Sequence, residues 1–537
     1  MRESLSRLEG GEYDVAIIGG GINGASAAQH LASAGYSVVL VEKNDYASAA
    51  SSRSSRILHS GLRYFAPSKT LWEHVFQPRR FVGRVRSAIE SMTAMGQLVS
   101  TMPERFIPLS LMMPVYRNMP YSGWHVDIGV KVLGFFNRFG VPLVYKRYRN
   151  GRSTPPAMAK WFRDNGDITD FTVFMDYSIR WPERICVDAV MDARRLGAVV
   201  RNYTTMEQLS RTADGRWSLA LRDTLEPAQT ATVTARLVLN TAGVWIDALN
   251  KAAAQGTAPA RRVIAVKGIH ILVRLPDDFK GEGLASLNRE NEAIFCVPWG
   301  DLHYIGPTEV VYHENIDDVT PDEEGIEFLI DEANHLLPGI NLSRSDVCFA
   351  WAGVRPITYD PRYPKGRRLP FSVLHDLASD GLPNVLTLTW GTINLHRVSA
   401  NHILKAVKRK LKPSRGQAAL NAGASRFKGG DANSAVFPDE PSISLDDLVD
   451  AARNEDATNL VDLLFRRTHL GWRHAMTRSA IRRAARAVAP EFGWSARQID
   501  EQVDAFVTHM KVRHLVDVTD DETNLPASTA RISGEPA

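Results

Sequence analysis

Apolar residues along the chain follow three kinds of spacing, and each predicts a different element. Short unbroken apolar runs bounded by glycine occur at Asp14–Ile18, Val38–Val41, Arg236–Gly243 and Asn384–Gly391. Such runs predict strands buried on both faces, parts of one α/β layer. A small-residue helix lies between the first two and stops at Gly35, and a further helix is predicted over Asn394–Lys410. Residues 262–312 alternate instead, as in VIAVKGIHILVRL and AIFCVPWGDLHYIG, which predicts a second sheet. From 444 to 514 the apolar positions recur at helical spacing. LDDLVDAARNEDATNLVDLLFRR is one example; SAIRRAARAVAPEFGW sets a basic face opposite an apolar one. Residues 66–180 are rich in Pro, Met and aromatics, and no internal repeat is visible.

The junction of the first strand and helix reads Gly19-x-Gly21-x-x-Gly24, and the second strand ends on Glu42. This is a βαβ unit suited to a dinucleotide. Gly19 permits the tight turn, Gly21 lets backbone N–H groups approach a pyrophosphate, and Gly24 lets helix and strand pack closely. Ile22 and Asn23 open the helix, where unpaired N–H groups and the dipole favour negative charge. Glu42 lies about 20 residues further on, where a carboxylate accepts hydrogen bonds from the adenosine ribose. The expected fold is α/β. A Rossmann-like dinucleotide domain is assembled from 12–75, 185–260 and 345–412, and a mixed-sheet substrate domain from 76–184 and 261–344. A polar linker (413–440), a C-terminal helical domain (441–517) and a disordered tail (518–537) follow.

Composition narrows the class without changing it. The 537 residues are 44% hydrophobic and 23% charged, with a net charge of +4, which gives no indication of nucleic acid. Cys186, Cys296 and Cys348 lack metal-ligand spacing, so neither a metal site nor a disulfide framework is expected. The N-terminal segment has no apolar core and no apolar run reaches 18 residues. A cytoplasmic protein is expected, with peripheral contact at the inner face of the cell membrane left open.

Beyond Glu42 comes the serine-dense run SAASSRSSR (Ser48–Arg56), followed at once by ILHSGLRYF. With these residues the chain resembles the FAD-dependent glycerol-3-phosphate dehydrogenases of the D-amino-acid-oxidase-like flavoprotein superfamily. The matching motifs, in order, are IIGGGINGA, SSxSS with LHSGLRY, NYTTM, LVLNTAGVW, VKGIH, VPWGDLHYIGPTEV, AGVRP and WGTINLHR. LFRRTHLGW resembles the family's C-terminal helical domain. The resemblance implies FAD. It places Gly19, Gly21, Gly24 and Glu42 on the ADP half, Met206 against the adenine, and Ser51, Ser52, Ser54 and Ser55 at the pyrophosphate and flavin. Thr241, Ala242 and Gly243 would pass beneath the cofactor, while the Gly391–Asn394 turn would aim a helix N-terminus at the isoalloxazine.

The implied reaction oxidises the secondary hydroxyl of glycerol 3-phosphate, or a related polyol phosphate, with hydride passing to flavin N5. That chemistry requires a proton acceptor and cations near the oxygen. By the resemblance, Arg63 and Tyr64 anchor substrate, Arg355 stands beside the reacting carbon, and His270 and Asp301 are polar site residues. His270 is the expected proton acceptor, with His59 as alternative and Arg355 polarising the hydroxyl. The sequence departs from the family pattern Gly-Gly-Lys followed by Leu-Thr-Thr-Tyr-Arg: Trp390 replaces a glycine, Thr392 the phosphate-binding lysine, and Ser60 a glycine. Losing one charge-assisted contact costs about 1.5–3 kcal/mol. Arg53 and His396 are the candidate replacements. Two further readings stand beside this one: oxidation of an unphosphorylated hydroxy or amino compound, and a flavin-binding partner protein without catalysis. The expected partners are a small anionic substrate and a quinone or other electron acceptor, in a homo-oligomer. Membrane contact could come from Phe76–Arg86 or Gly129–Arg149, although a solvated basic face and substrate-domain core, respectively, are the expected readings of these segments.

Overall fold

The computed structural model describes residues 2–62, 78–119, 121–137, 139–254, 259–367, 371–431 and 433–520. Two sheets organise them. In the first, of eight strands, Glu12–Ile18 lies between Thr230–Asn240 and Val38–Val41 and runs parallel to both. Val199–Arg201 and Val385–Thr389 extend the parallel core outward on the two sides. Val15, Ile17, Val38, Leu40, Leu237 and Leu239 are sealed on one core face with Ala25, Ala28 and Leu31 of helix Ile22–Ser33. The other face packs Ala16, Val39, Val238 and Val385 against the antiparallel ribbon Thr204–Arg211 and Trp217–Asp223. Burial on both faces explains why these strands read as unbroken apolar runs.

The second sheet has ten strands and is built around two long antiparallel pairs. Val263–Val273 pairs with Val347–Thr358, and Phe106–Tyr116 with Ile168–Ile179. Three expected boundaries shift as a result. Val347–Thr358 belongs to this second sheet, although 345–412 was expected in the dinucleotide domain, because its partner is the adjacent apolar strand. Ile57–Leu58 also joins this sheet, through Ile168–Ile179. Conversely, helix Pro78–Thr101, expected in the substrate domain, buries Ala88, Met92, Met95 and Leu98 in the core of the first sheet.

Residues 413–440 form a strap rather than a loose linker. Ser414 Oγ donates to Asp14 at 2.5 Å, Arg415 N to Gly35 O at 2.8 Å, Asn421 N to Asp192 at 2.9 Å and Lys428 N to Asp447 at 2.7 Å. The polar composition read as a linker supplies the partners of these carboxylates. Helices Leu445–Asn454, Arg478–Phe492 and Ala496–His514, with a π-helical turn at Asp462–Arg467, complete the described chain. Ser444 and Ser495 start two of them as capping boxes with Asp447 and Gln498. Their core is continuous with the second sheet, since Leu448, Ile481, Val488 and Phe506 cluster with Phe349 and Trp351. Of the expected disordered tail, 521–537 lies outside the described residues.

Candidate active site

A cavity of about 950 Å³ opens at the carboxyl ends of the first sheet's strands and is lined by Gly19, Gly21, Ile22, Asn23 and Glu42 together with Ser51, Ser54 and Ser55. Met206, Thr241, Ala242, Gly243, Arg355, Gly391, Thr392 and Asn394 also line it. These sixteen residues are the greater part of the expected site, gathered from distant parts of the sequence. The glycines are needed on steric grounds. A Cβ on Gly19 would lie 2.7 Å from Thr241 O, and the Gly19 φ of +106° disfavours other residues. A Cβ on Gly24 would lie 1.9 Å from Gly19 O, so Gly24 serves helix–strand packing rather than the cavity lining.

Glu42 Oε2 accepts from Gly20 N at 2.7 Å and Oε1 from Asn44 N at 2.9 Å. Burial raises its carboxyl above the ordinary range, partly offset by those two donors. The serine run is positioned from behind. Ser51 Oγ accepts from Ile22 N at 3.0 Å; Ser52 is buried with its hydroxyl on Ala49 O. Arg56 Nη2 reaches Ser52 O at 3.3 Å and Glu183 Oε1 at 2.5 Å, and its guanidinium stacks 3.9 Å from the Trp472 ring. At the other end Asn23 Nδ2 donates to Gly391 O at 2.8 Å, and a Gly391 Cβ would collide with Asn23. Trp390 takes φ +54°, the left-handed conformation that explains a glycine at this position of the family pattern. Thr392 precedes the Ile393–Leu395 turn, and its buried hydroxyl has no hydrogen-bond partner among the described residues.

The expected catalytic group is placed differently. His270 is 2% exposed and does not line the cavity. Its ring stacks on Trp351 at 4.6 Å, and Nε2 lies 3.0 Å from Ser55 Oγ, so it stands behind a lining serine. Burial, then the charges of Arg355 and Arg56, lower its pKa to about 3. The histidine that lines the cavity is His59, whose Nδ1 is 3.1 Å from Asp176 Oδ2; Asp176 Oδ1 also accepts from Ser60 N at 2.8 Å. Arg355 donates to Glu309 Oε1 at 2.8 Å and Thr308 O at 3.1 Å, and burial lowers its pKa to about 10. Asp301 is exposed in the turn between Ala293–Trp299 and Leu302–Gly306, outside the cavity. Arg63 and Tyr64 lie outside the described residues. His396 is buried on Ile393 O and does not line the cavity, so of the two candidate replacements for the lysine only Arg53 does.

Sequence reasoning missed Asp176 and the contribution of Asn459, Leu460, Arg466, Gln502 and His509 from the C-terminal helices to the lining. Arg466 lies in the LFRRTHLGW run, which gives no sign of a place in the cavity, and no local motif marks the others; only the docking of that region does.

A glycine-turned helix start, a carboxylate ending the second strand, a serine run and a cavity shared with a second sheet define a dinucleotide-dependent oxidoreductase of the α/β class. Residues 14–389 match the family described as FAD dependent oxidoreductase. The chain belongs to that family, and its cofactor is FAD. The residues present fit the group: a Cβ on Gly21, which lines the cavity, would meet only Ser51 Oγ, so the space beside that turn is open, and the buried Thr392 hydroxyl and Asn23 Oδ1 lack partners among the described residues. Among similar proteins, a glycerol-3-phosphate dehydrogenase from Synechocystis sp. is 28% identical over 424 residues, covering 76% of this chain and 72% of that one. An aerobic glycerol-3-phosphate dehydrogenase from Staphylococcus aureus is 24% identical over 419 residues, covering 77% and 70%. The glycerol-3-phosphate dehydrogenase from Bacillus halodurans complexed with FAD has a similar fold, with a TM-score of 0.65 at 18% identity, covering 94% of this chain and 96% of that one.

Proposed function

We propose that this enzyme oxidises the secondary hydroxyl of glycerol 3-phosphate, or of a related polyol phosphate, to the ketone and passes the electrons to a quinone. The observation that carries the reading is His59, held from behind by Asp176, lining the same cavity as Arg355 and the dinucleotide cradle. FAD, when bound, supplies the hydride acceptor. With Nδ1 directed at a carboxylate, His59 keeps its proton there and offers Nε2 as the acceptor of the hydroxyl proton. Arg355 stabilises the oxygen as that proton leaves, and the buried setting strengthens the effect. Names of the relatives support the substrate class.

Helix Gly123–Phe135 supports peripheral membrane contact, and with it a quinone acceptor. Gly123, Val126, Gly129 and Leu133 face inward, whereas Trp124 (52% exposed), Ile128 (51%) and Phe135 (84%) share the outer face with Lys131. The segment was expected as core, yet it leaves large apolar side chains uncovered beside a cation, as interfacial helices do. No helix among the described residues is long and apolar enough to cross a membrane. Glutamate at Trp124 and Phe135 together is expected to abolish cosedimentation with anionic vesicles; unchanged cosedimentation would refute the contact.

The test of the reaction is anaerobic addition of glycerol 3-phosphate to the purified yellow protein. Bleaching of the flavin band supports the reading. A spectrum that stays oxidised with glycerol 3-phosphate and with larger polyol phosphates rejects it.

A further inference from the structure

Part of the cavity lining carries a charge that the reaction does not use. Arg53, in the middle of the serine run, is half-buried and lines the cavity near Arg466 and His509 of the C-terminal helices. Its cationic neighbours are already balanced: Arg466 pairs with Asp45 and Asp462, and Arg513 with Asp318 at 2.6 Å. The Arg53 side chain makes no hydrogen bond or ion pair among the described residues; its backbone N donates to Ala50 O at 3.3 Å. Burial, then the charges of Arg513 and Arg466, lower its pKa to about 10. A guanidinium withdrawn from water among other cations is costly unless an anion joins it.

Position in the chain identifies that anion. Two residues earlier, Ser51 Oγ accepts from Ile22 N at 3.0 Å and would lie 3.2 Å from a Cβ on Gly21. Ser51 therefore touches the helix N-terminus on which a dinucleotide's pyrophosphate rests. Strand Val347–Thr358 crosses so closely at Gly353 that a Cβ there would lie 2.6 Å from Arg53 Cβ, which fixes where the arginine begins. We propose that Arg53, backed by the C-terminal helices, is the counter-cation of the FAD pyrophosphate, making that region a wall of the cofactor site. The helices thereby join cofactor retention to their own docking, a role outside the glycine motif.

The probe is ADP, which carries the pyrophosphate without the flavin or any substrate group. Calorimetric titration of reversibly deflavinated protein is expected to show Arg53→Gln binding ADP roughly ten- to a hundredfold more weakly, with Arg53→Lys closer to wild type. Phenylglyoxal labelling of the unmutated deflavinated protein gives a second readout that does not depend on a variant folding. ADP is expected to protect Arg53 from labelling, and glycerol 3-phosphate is not. ADP affinity within twofold of wild type in Arg53→Gln overturns the proposal, as does protection by glycerol 3-phosphate alone. Because ADP takes no part in substrate oxidation, the result stands whether or not the proposed reaction is correct.

Discussion

Arg467 meets Asp45 through two parallel hydrogen bonds, Nη1 and Nη2 each 2.7 Å from a separate carboxylate oxygen, with both side chains fully buried. Asp45 stands three residues after Glu42, so this pair ties the C-terminal region to the loop that follows the second strand. Asn202 Nδ2 adds a third donor at 2.8 Å, and Arg184 makes a second bidentate pair across the same junction with Glu455, at 2.7 and 2.6 Å. Buried charges of this kind contribute little relative to an apolar replacement, yet removing one partner strands the other.

Asp45→Asn is therefore expected to destabilise the full chain by about 3–5 kcal/mol and to promote flavin loss. Burial would raise the Asp45 carboxyl, but Arg467 and Arg466 outweigh it and hold the pKa to about 2. A depressed folded-state pKa contributes stability above the unfolded value, ~3.9, that is lost as pH falls toward about 2. Denaturant unfolding between pH 2 and 6 should show wild type losing stability in that acid window, with a shallower loss in Asp45→Asn. Parallel curves for the two proteins would contradict this account.

His59 lines the cavity and His270 does not, so the proposed reaction assigns the proton acceptor to His59; rapid-mixing reduction of the flavin tests that assignment. His59→Gln is expected to slow reduction by glycerol 3-phosphate roughly 10²- to 10⁴-fold while retaining flavin. His270→Gln, which disturbs Ser55 only from behind, is expected to slow it less than tenfold, a bound set by the ~1 kcal/mol of one neutral hydrogen bond. A larger effect in His270→Gln than in His59→Gln would return the proton acceptor to His270.

Thr392→Lys restores the family's cation at a position where the present hydroxyl has no partner among the described residues. If the substrate phosphate lies there, the substitution supplies one charge-assisted bond of about 1.5–3 kcal/mol. Titration of the flavin spectrum with glycerol 3-phosphate should then show roughly ten- to hundredfold tighter binding. Weaker binding would place the phosphate elsewhere in the cavity.

Strand and glycine patterns made the dinucleotide half of the site legible because their constraints are local: Gly19, Gly24 and Glu42 act within one βαβ unit. The placement of Val347–Thr358 was not legible, since an apolar strand does not record which sheet it joins. His270 shows the same limit at a single side chain. Its strand was readable, but the face it occupies depends on stacking with Trp351, two segments away in sequence. The C-terminal lining depends on Arg467 finding Asp45 across 422 residues and on Arg184 finding Glu455 across 271.

The two glycines flanking the first turn of helix Ile22–Ser33 provide a sharper test of that local reading. A Cβ on Gly24 would lie 1.9 Å from Gly19 O and 2.7 Å from Thr241 Oγ1, so backbone must move. A Cβ on Gly21 would meet only Ser51 Oγ, at 3.2 Å, a contact that a serine rotamer relieves. Gly24→Ala is expected to lower the melting temperature markedly, because overpacking against backbone costs about 1–3 kcal/mol or more. Gly21→Ala should keep the melting temperature of the deflavinated protein close to wild type, yet weaken FAD by at least tenfold, since the methyl occupies space the pyrophosphate needs. Thermal melts of deflavinated protein and fluorescence titration with FAD check both halves. If Gly21→Ala bound FAD normally, the pyrophosphate would have to lie away from this turn.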